Sequence, residues 1–239
     1  MPPRRRDAVL KRLLADARRA FAARRGGVAL ARAKAAVGGG ANVRYGGFRS
    51  DTGAPGTGKY TAVHVAARND HPELVRFLVV GAEADADARD TDEDYGYTPC
   101  IWACEKNKPR AVQALVEVNA DVNRAATGSD WKGFTPCMMA AHEGNPACLR
   151  ALGAAPTLDV NAVAAEGKFK GKTALDVALN QNKEEAAAVL RDELGAKRAE
   201  DLTEDDKRKS RDIVRGMIAS PAANENEKEG GAVGSENAG

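Results

Sequence analysis

The residues that look most like chemistry lie in GAPGTGKYT, Gly53 to Thr61. Gly53, Gly58 and Lys59 fit G-x-x-x-x-G-K, a loop whose backbone N–H groups cradle phosphates while the lysine reaches the outer ones. The next position should carry a hydroxyl for Mg²⁺, and Tyr60 stands there instead. Phosphoryl chemistry also needs a hydrophobic strand before the first glycine and an aspartate at the end of another. Upstream of Gly53 the chain reads YGGFRSDT, which makes no buried strand. Similar letters recur in GKFKGKT, Gly167 to Thr173, one residue too short for the motif. The recurrence favours a local origin over nucleotide binding: glycine turns a loop and threonine caps the helix that follows.

Thiols and imidazoles offer less. Cys100 and Cys104 are i, i+4 on one helix, and Cys137 lies at the phase of Cys100 further on. Three thiolates brought together could hold a metal. Cysteine is equally a small buried hydrophobe, and no histidine or fourth ligand is placed by spacing, so core packing is the preferred reading for these and for Cys148. His64, His71 and His142 have no nucleophile or carboxylate tied to them, so no acid–base constellation follows. No catalytic residue, cofactor or metal is expected, and the chain reads as non-enzymatic.

The elements that carry these residues follow from composition and spacing. The sequence has 36 basic and 34 acidic residues, which gives no whole-chain argument for nucleic acid or membrane. Much of its hydrophobic share of 43% is alanine, and aromatics are 5%, a balance that suits closely packed helices. Four stretches line up: YTAVHVAARNDHPELVRFLV, YTPCIWACEKNKPRAVQALV, FTPCMMAAHEGNPACLRALG and KTALDVALNQNKEEAAAVLR. Their threonines, Thr61, Thr98, Thr135 and Thr173, are 37, 37 and 38 residues apart.

Each unit predicts two helices. Thr is a good N-cap, and Pro99 and Pro136 follow at the first helical position, where the missing N–H costs nothing. A short helix then buries small residues such as Val63, Ala66 and Ala67, or Cys100, Ala103 and Cys104. Pro72, Pro109 and Pro146 open a second helix, whose Leu74, Val75, Phe77 and Leu78 share a face. One such pair is too small to bury that face, so neighbours must stack on it.

These units resemble ankyrin repeats. The T-P-L-H-x-A-A start of that family appears as Thr61-Ala62-Val63-His64-Val65-Ala66-Ala67, and its G-A-D-V-N ending as Asn119-Ala120-Asp121-Val122-Asn123. The family unit is 33 residues, so each period here carries four or five more, all in the turn before the next threonine. The resemblance implies an all-α solenoid with elongated β-hairpin finger loops. Domain boundaries follow: a disordered basic 1–7, repeats over 8–196 (8–45, 58–90, 95–127, 132–165 and 170–200), a charged capping helix at 197–220 and a disordered tail at 221–239. Ile101, Met138 and Asp176 stand at the position of His64, so the hydroxyl–imidazole network should be incomplete in those units.

The resemblance also implies a protein-binding module or scaffold whose fingers and first helices form a concave contact face. Mapped by phase, that face offers Tyr60, Arg68, Tyr95, Tyr97, Glu105, Lys106, Trp131, Phe134, His142, Glu143 and Lys172. Tyr60, Tyr97 and Phe134 recur just before a threonine, either as partner contacts or as finger-on-finger packing. Asp90, Asp92, Glu93 and Asp94 make one finger acidic, whereas Lys168, Lys170 and Lys172 make a later one basic. The expected partner is a protein of unspecified identity, with no nucleic acid and no membrane, and the chain itself is read as a monomer. An Arg-rich start, MPPRRRDAVLKRLLADARRAFAARR, reads as a docking helix or as an organelle-targeting peptide. The helix reading goes with a cytoplasmic or nuclear protein.

Overall fold

A computed structural model describes residues 30, 31, 34, 60–91 and 93–208. Eight helices in four pairs dominate them: α1 (Ala62–Arg68) and α2 (Pro72–Arg76), α3 (Pro99–Glu105) and α4 (Pro109–Glu117), α5 (Pro136–Glu143) and α6 (Pro146–Gly153), α7 (Ala174–Asn180) and α8 (Glu184–Ala188). α2 and α8 each continue into a wider π-turn, at Phe77–Gly81 and Val189–Glu193. The described residues contain no strand or sheet.

First helices pack on first helices, α1 on α3 on α5 on α7, and second helices form a parallel row behind them. Val63, Ala66, Cys100, Ala103, Met138 and Ala141 are fully enclosed between the rows. Small residues let the helices approach closely, which explains an alanine-rich and aromatic-poor composition. The result is the all-α solenoid expected from the repeat.

Every first helix starts on its threonine. Thr61, Thr98, Thr135 and Thr173 each accept from the backbone N–H three residues on. The turn between the paired helices needs one residue in the left-handed region, at Asp70, Asn107, Gly144 and Asn182 in succession. Asn, Asp and Gly tolerate that conformation best, so these letters fix the turn. A second ladder joins successive units at their other end. Asp87, Asn123 and Asn161 accept through Oδ1 from the backbone N–H of Asp121 (2.9 Å), Asp159 (2.7 Å) and Lys197 (2.7 Å).

Loops expected to be β-hairpin fingers hold no strand; each is closed by isolated backbone bonds. Asp90 donates to the Tyr97 carbonyl at 2.8 Å, Ala126 to Phe134 at 2.9 Å and Ala164 to Lys172 at 3.0 Å. Leu30, from the expected first repeat, packs against the core, and the Lys34 ammonium lies 5.7 Å from the centre of the Phe77 ring. At the C-terminal end Leu202 is buried and Thr203 forms the expected capping box with Asp206. The capping helix expected over 197–220 starts late: residues 197–203 hold only a short 3-10 turn at Ala199–Asp201, and helix begins at 204, after the Thr203 cap, and is described to 208. Residues beyond 208 with the expected tail, the Arg-rich start and the glycines of Gly53 to Lys59 lie outside the described residues.

Candidate partner-binding face

The face is built outward from the helix caps. His64 Nδ1 accepts from the Thr61 backbone N–H at 3.1 Å, which fixes the tautomer and leaves Nε2–H to donate to the Tyr97 carbonyl of the next unit at 3.0 Å. Burial lowers the His64 pKa to about 4, so the ring stays neutral and serves as a cross-repeat clasp. Thr98 and Thr135 keep only their half of the cap, because Ile101 and Met138 have nothing to return. The fourth unit departs from the expected incompleteness. Asp176 accepts from the Thr173 N–H and hydroxyl, each at 3.0 Å, and from the Ala199 N–H at 2.9 Å. A carboxylate here restores the reciprocal cap that the imidazole provides in the first.

Tyr60, Tyr97 and Phe134 are 7%, 1% and 1% exposed, so their assignment as partner contacts is corrected. The aromatic before each of the first three caps turns inward, under its finger. Tyr60 meets Trp102 edge-on at 5.4 Å, Tyr97 meets the other side of Trp102 at 5.4 Å, and Phe134 lies 4.8 Å from Phe169. Tyr60 thus packs on helix α3, Tyr97 between α3 and the next finger's Trp131, and Phe134 on the finger aromatics Trp131 and Phe169. Asp90 likewise leaves the acidic surface: it is buried, taking the Trp102 indole N–H at 2.7 Å and the Tyr97 N–H at 3.2 Å.

The accessible aromatics lie further out along the fingers, at Tyr95, Trp131 and Phe169. Trp131 sits at the junction. Its ring stacks on Phe169 at 5.9 Å, tilts against Phe134 at 5.1 Å and meets His142 edge-on at 5.1 Å. An open cavity of about 380 Å³ lies beside it, lined by Ser129, Asp130, Trp131, Lys168 and Phe169. Phe169 and Trp102 escaped the sequence reading. Phe169 had a signal, since it occupies the finger position of Trp131 one period later; Trp102 had none, because no other unit carries an aromatic at its phase.

Charged members frame the row. The Arg68 guanidinium lies 4.9 Å from the Trp102 ring centre and Lys106 5.6 Å from it. Lys106 pairs with Glu105 at 2.9 Å, and His142 Nδ1 with Glu143 at 2.9 Å. Lys172 is exposed at the far end, with no ion pair among the described residues. The first two fingers are joined through backbone: Thr127, Gly128, Ser129 and Asp130 donate to the carbonyls of Gly96, Tyr95, Glu93 and Asp94 at 2.9–3.3 Å. Second and third are joined by Lys132 Nζ to Glu166 Oε2 at 2.5 Å. The fingers therefore present one connected ridge.

The thiols are core. Cys100, Cys104, Cys137 and Cys148 are all buried and free. Cys104 interacts with Cys100 and Cys148, whereas burial pushes the Cys137 thiol up to about 12. Cys100 neighbours both Cys104 and Cys137, but among the described residues no three His, Cys, Asp or Glu side chains are placed to hold a metal. At the phosphate-loop letters, Tyr60 is buried and Thr61 caps α1, which are both structural roles. No described helix is long and apolar enough to cross a membrane.

No curated protein matches the sequence. A family model described as ankyrin repeats matches residues 21–126 in three copies. The units at Thr135 and Thr173 carry the same caps, left-handed turns and stacking beyond that segment. Repeated helix pairs and cross-repeat clasps agree with that match: the chain carries ankyrin repeats over residues 21–126, and its later units are similar to them.

Proposed function

We propose that this chain binds a partner protein through the finger ridge and the exposed ends of its first helices. Ankyrin repeats are generally protein–protein interaction modules. The contact residues are Tyr95, Trp131, Phe169, Arg68, Glu105, Lys106, His142, Glu143 and Lys172, with Tyr60, Tyr97 and Phe134 as their support from below. One observation carries the reading. Trp131 and Phe169 remain only half-buried although each contacts several rings, and they border an open cavity. Large aromatics in such pockets are typical anchors of binding energy. A single chain suffices as the binding unit, and four buried free thiols suit work in the cytoplasm or nucleus.

The test is affinity capture with the full chain, followed by titration of the captured partner against variants. Trp131→Ala and Phe169→Ala should each weaken binding at least about tenfold, with unchanged far-UV circular dichroism. Unchanged affinity in both variants would remove the ridge from the interface.

A further inference from the structure

We propose that the finger ridge also pairs with a second copy of this chain, in an antiparallel, two-fold arrangement centred on Trp131. The inference rests on the reading that the ridge is a contact surface. Its argument is the order of charge along three joined fingers. The first finger exposes Glu93 and Asp94, and the second exposes Asp130. The third exposes Lys168, Lys170 and Lys172, none of which has an ion pair among the described residues. The one lysine of the second finger, Lys132, is already taken by Glu166. So the ridge is acidic at one end, basic at the other and aromatic between.

Such a surface contains its own complement. A two-fold axis through the second finger places the first finger of each copy opposite the third finger of the other, and Trp131 opposite Trp131. This is an isologous contact, which closes at two copies and does not propagate. The backbone bonds between the first and second fingers and the Lys132–Glu166 bridge hold the three fingertips in fixed register. Glu93 and Asp94 of each copy then meet lysines of the other, four exposed charge pairs per dimer, each weak alone and screened by salt. The dimer is therefore weak, salt-sensitive and in competition with any partner that needs Trp131.

Sedimentation equilibrium of the full chain tests it. The expected result is a monomer–dimer equilibrium whose dissociation constant rises about tenfold or more between about 0.05 and 0.5 M salt. Two triple variants make the test specific: Lys168→Glu/Lys170→Glu/Lys172→Glu, and Glu93→Lys/Asp94→Lys/Asp130→Lys. All six side chains are exposed, so circular dichroism should match the parent. Each variant alone should stay monomeric, and their equimolar mixture should dimerise with a blue shift in Trp131 emission. A parent that is monomeric at low salt, a variant that still dimerises alone or a mixture that stays monomeric overturns the proposal. If self-association fails while Trp131→Ala still weakens a captured partner, the partner-binding reading stands without this one.

Discussion

Asp87 is the residue whose chemistry fits its place least well. Its ladder neighbours at the same phase are Asn123 and Asn161, which accept the same cross-repeat bond without a charge. Burial pushes the Asp87 carboxyl up to about 6; the Asp121 N–H bond opposes this, the charges of Asp121 and Asp85 add to it, and Arg124 counters weakly. An acid with a raised folded pKa costs stability as pH climbs from its unfolded value to its folded one, and the full cost persists above the latter. Asp87→Asn keeps the Oδ1 acceptor and removes the charge. It should stabilise the fold by about 1–3 kcal/mol near pH 7.5 and by little near pH 4, because a two-unit shift is worth about 2.7 kcal/mol before residual hydration is discounted. Thermal melts of variant and parent at both pH values measure it. His64 and His71, both lowered to about 4 chiefly by burial, weaken either protein equally in acid and cancel in the comparison. A variant no more stable at pH 7.5 would mean that Asp87 is already neutralised by its surroundings.

Among the elements, the helices were written plainly in the letters and the fingers were not. Threonine caps, N1 prolines and the left-handed residues Asp70, Asn107, Gly144 and Asn182 are local signals, and local signals survive without tertiary context. Whether Tyr97 points outward or down is decided by Trp102, a residue of the following helix that takes the ring edge-on. Phase gives the position of a side chain in a loop but not its direction. The same limit hid the lateral joining of the fingers, which depends on backbone at Gly128 coming directly against Tyr95 and Asp94. A Cβ at Gly128 would collide with that backbone, so Gly128→Ala should part the first two fingers and cost about 1–3 kcal/mol through lost hydrogen bonds. Gly171→Ala is the control. Its φ of +77° carries a conformational cost of about 1 kcal/mol, but nothing lies within 4 Å of the new methyl. Amide exchange should accelerate at Thr127 to Asp130 in the first variant only. Unchanged protection there would mean that the fingers are held by their aromatics and not by their backbone.

At the scale of the molecule, the spacing of Thr61, Thr98, Thr135 and Thr173 made the stacked architecture legible, since each helix pair is too small to enclose its own apolar face. What spacing could not give is how strongly neighbouring units depend on each other. Among the described residues the main packing joins adjacent pairs: α1 packs on α3, α3 on α5 and α5 on α7, and α2 on α4 and α4 on α6. In a quasi-linear stack of this kind, the consequence of a cavity depends on position more than on size. Leu149 in α6 and Leu190 in the π-turn after α8 are both fully buried, so truncating either to Ala should cost about 2–5 kcal/mol locally. Leu149 has packed units on both sides, and its loss weakens two interfaces at once. Leu149→Ala should therefore shift the whole urea transition to lower denaturant as a single step. Leu190 belongs to the last helix pair, which packs on the third unit on one side and, among the described residues, meets only the short 197–202 segment on the other. Leu190→Ala should let that pair unfold first, with helical signal lost before Trp102 and Trp131 report any change, because both tryptophans lie in the units before it. Coincident transitions by circular dichroism and fluorescence in Leu190→Ala would show the four pairs to be one cooperative unit, stiffened along the finger ridge by the Lys132–Glu166 bridge and the Trp131–Phe169 stack that tie its end to its centre.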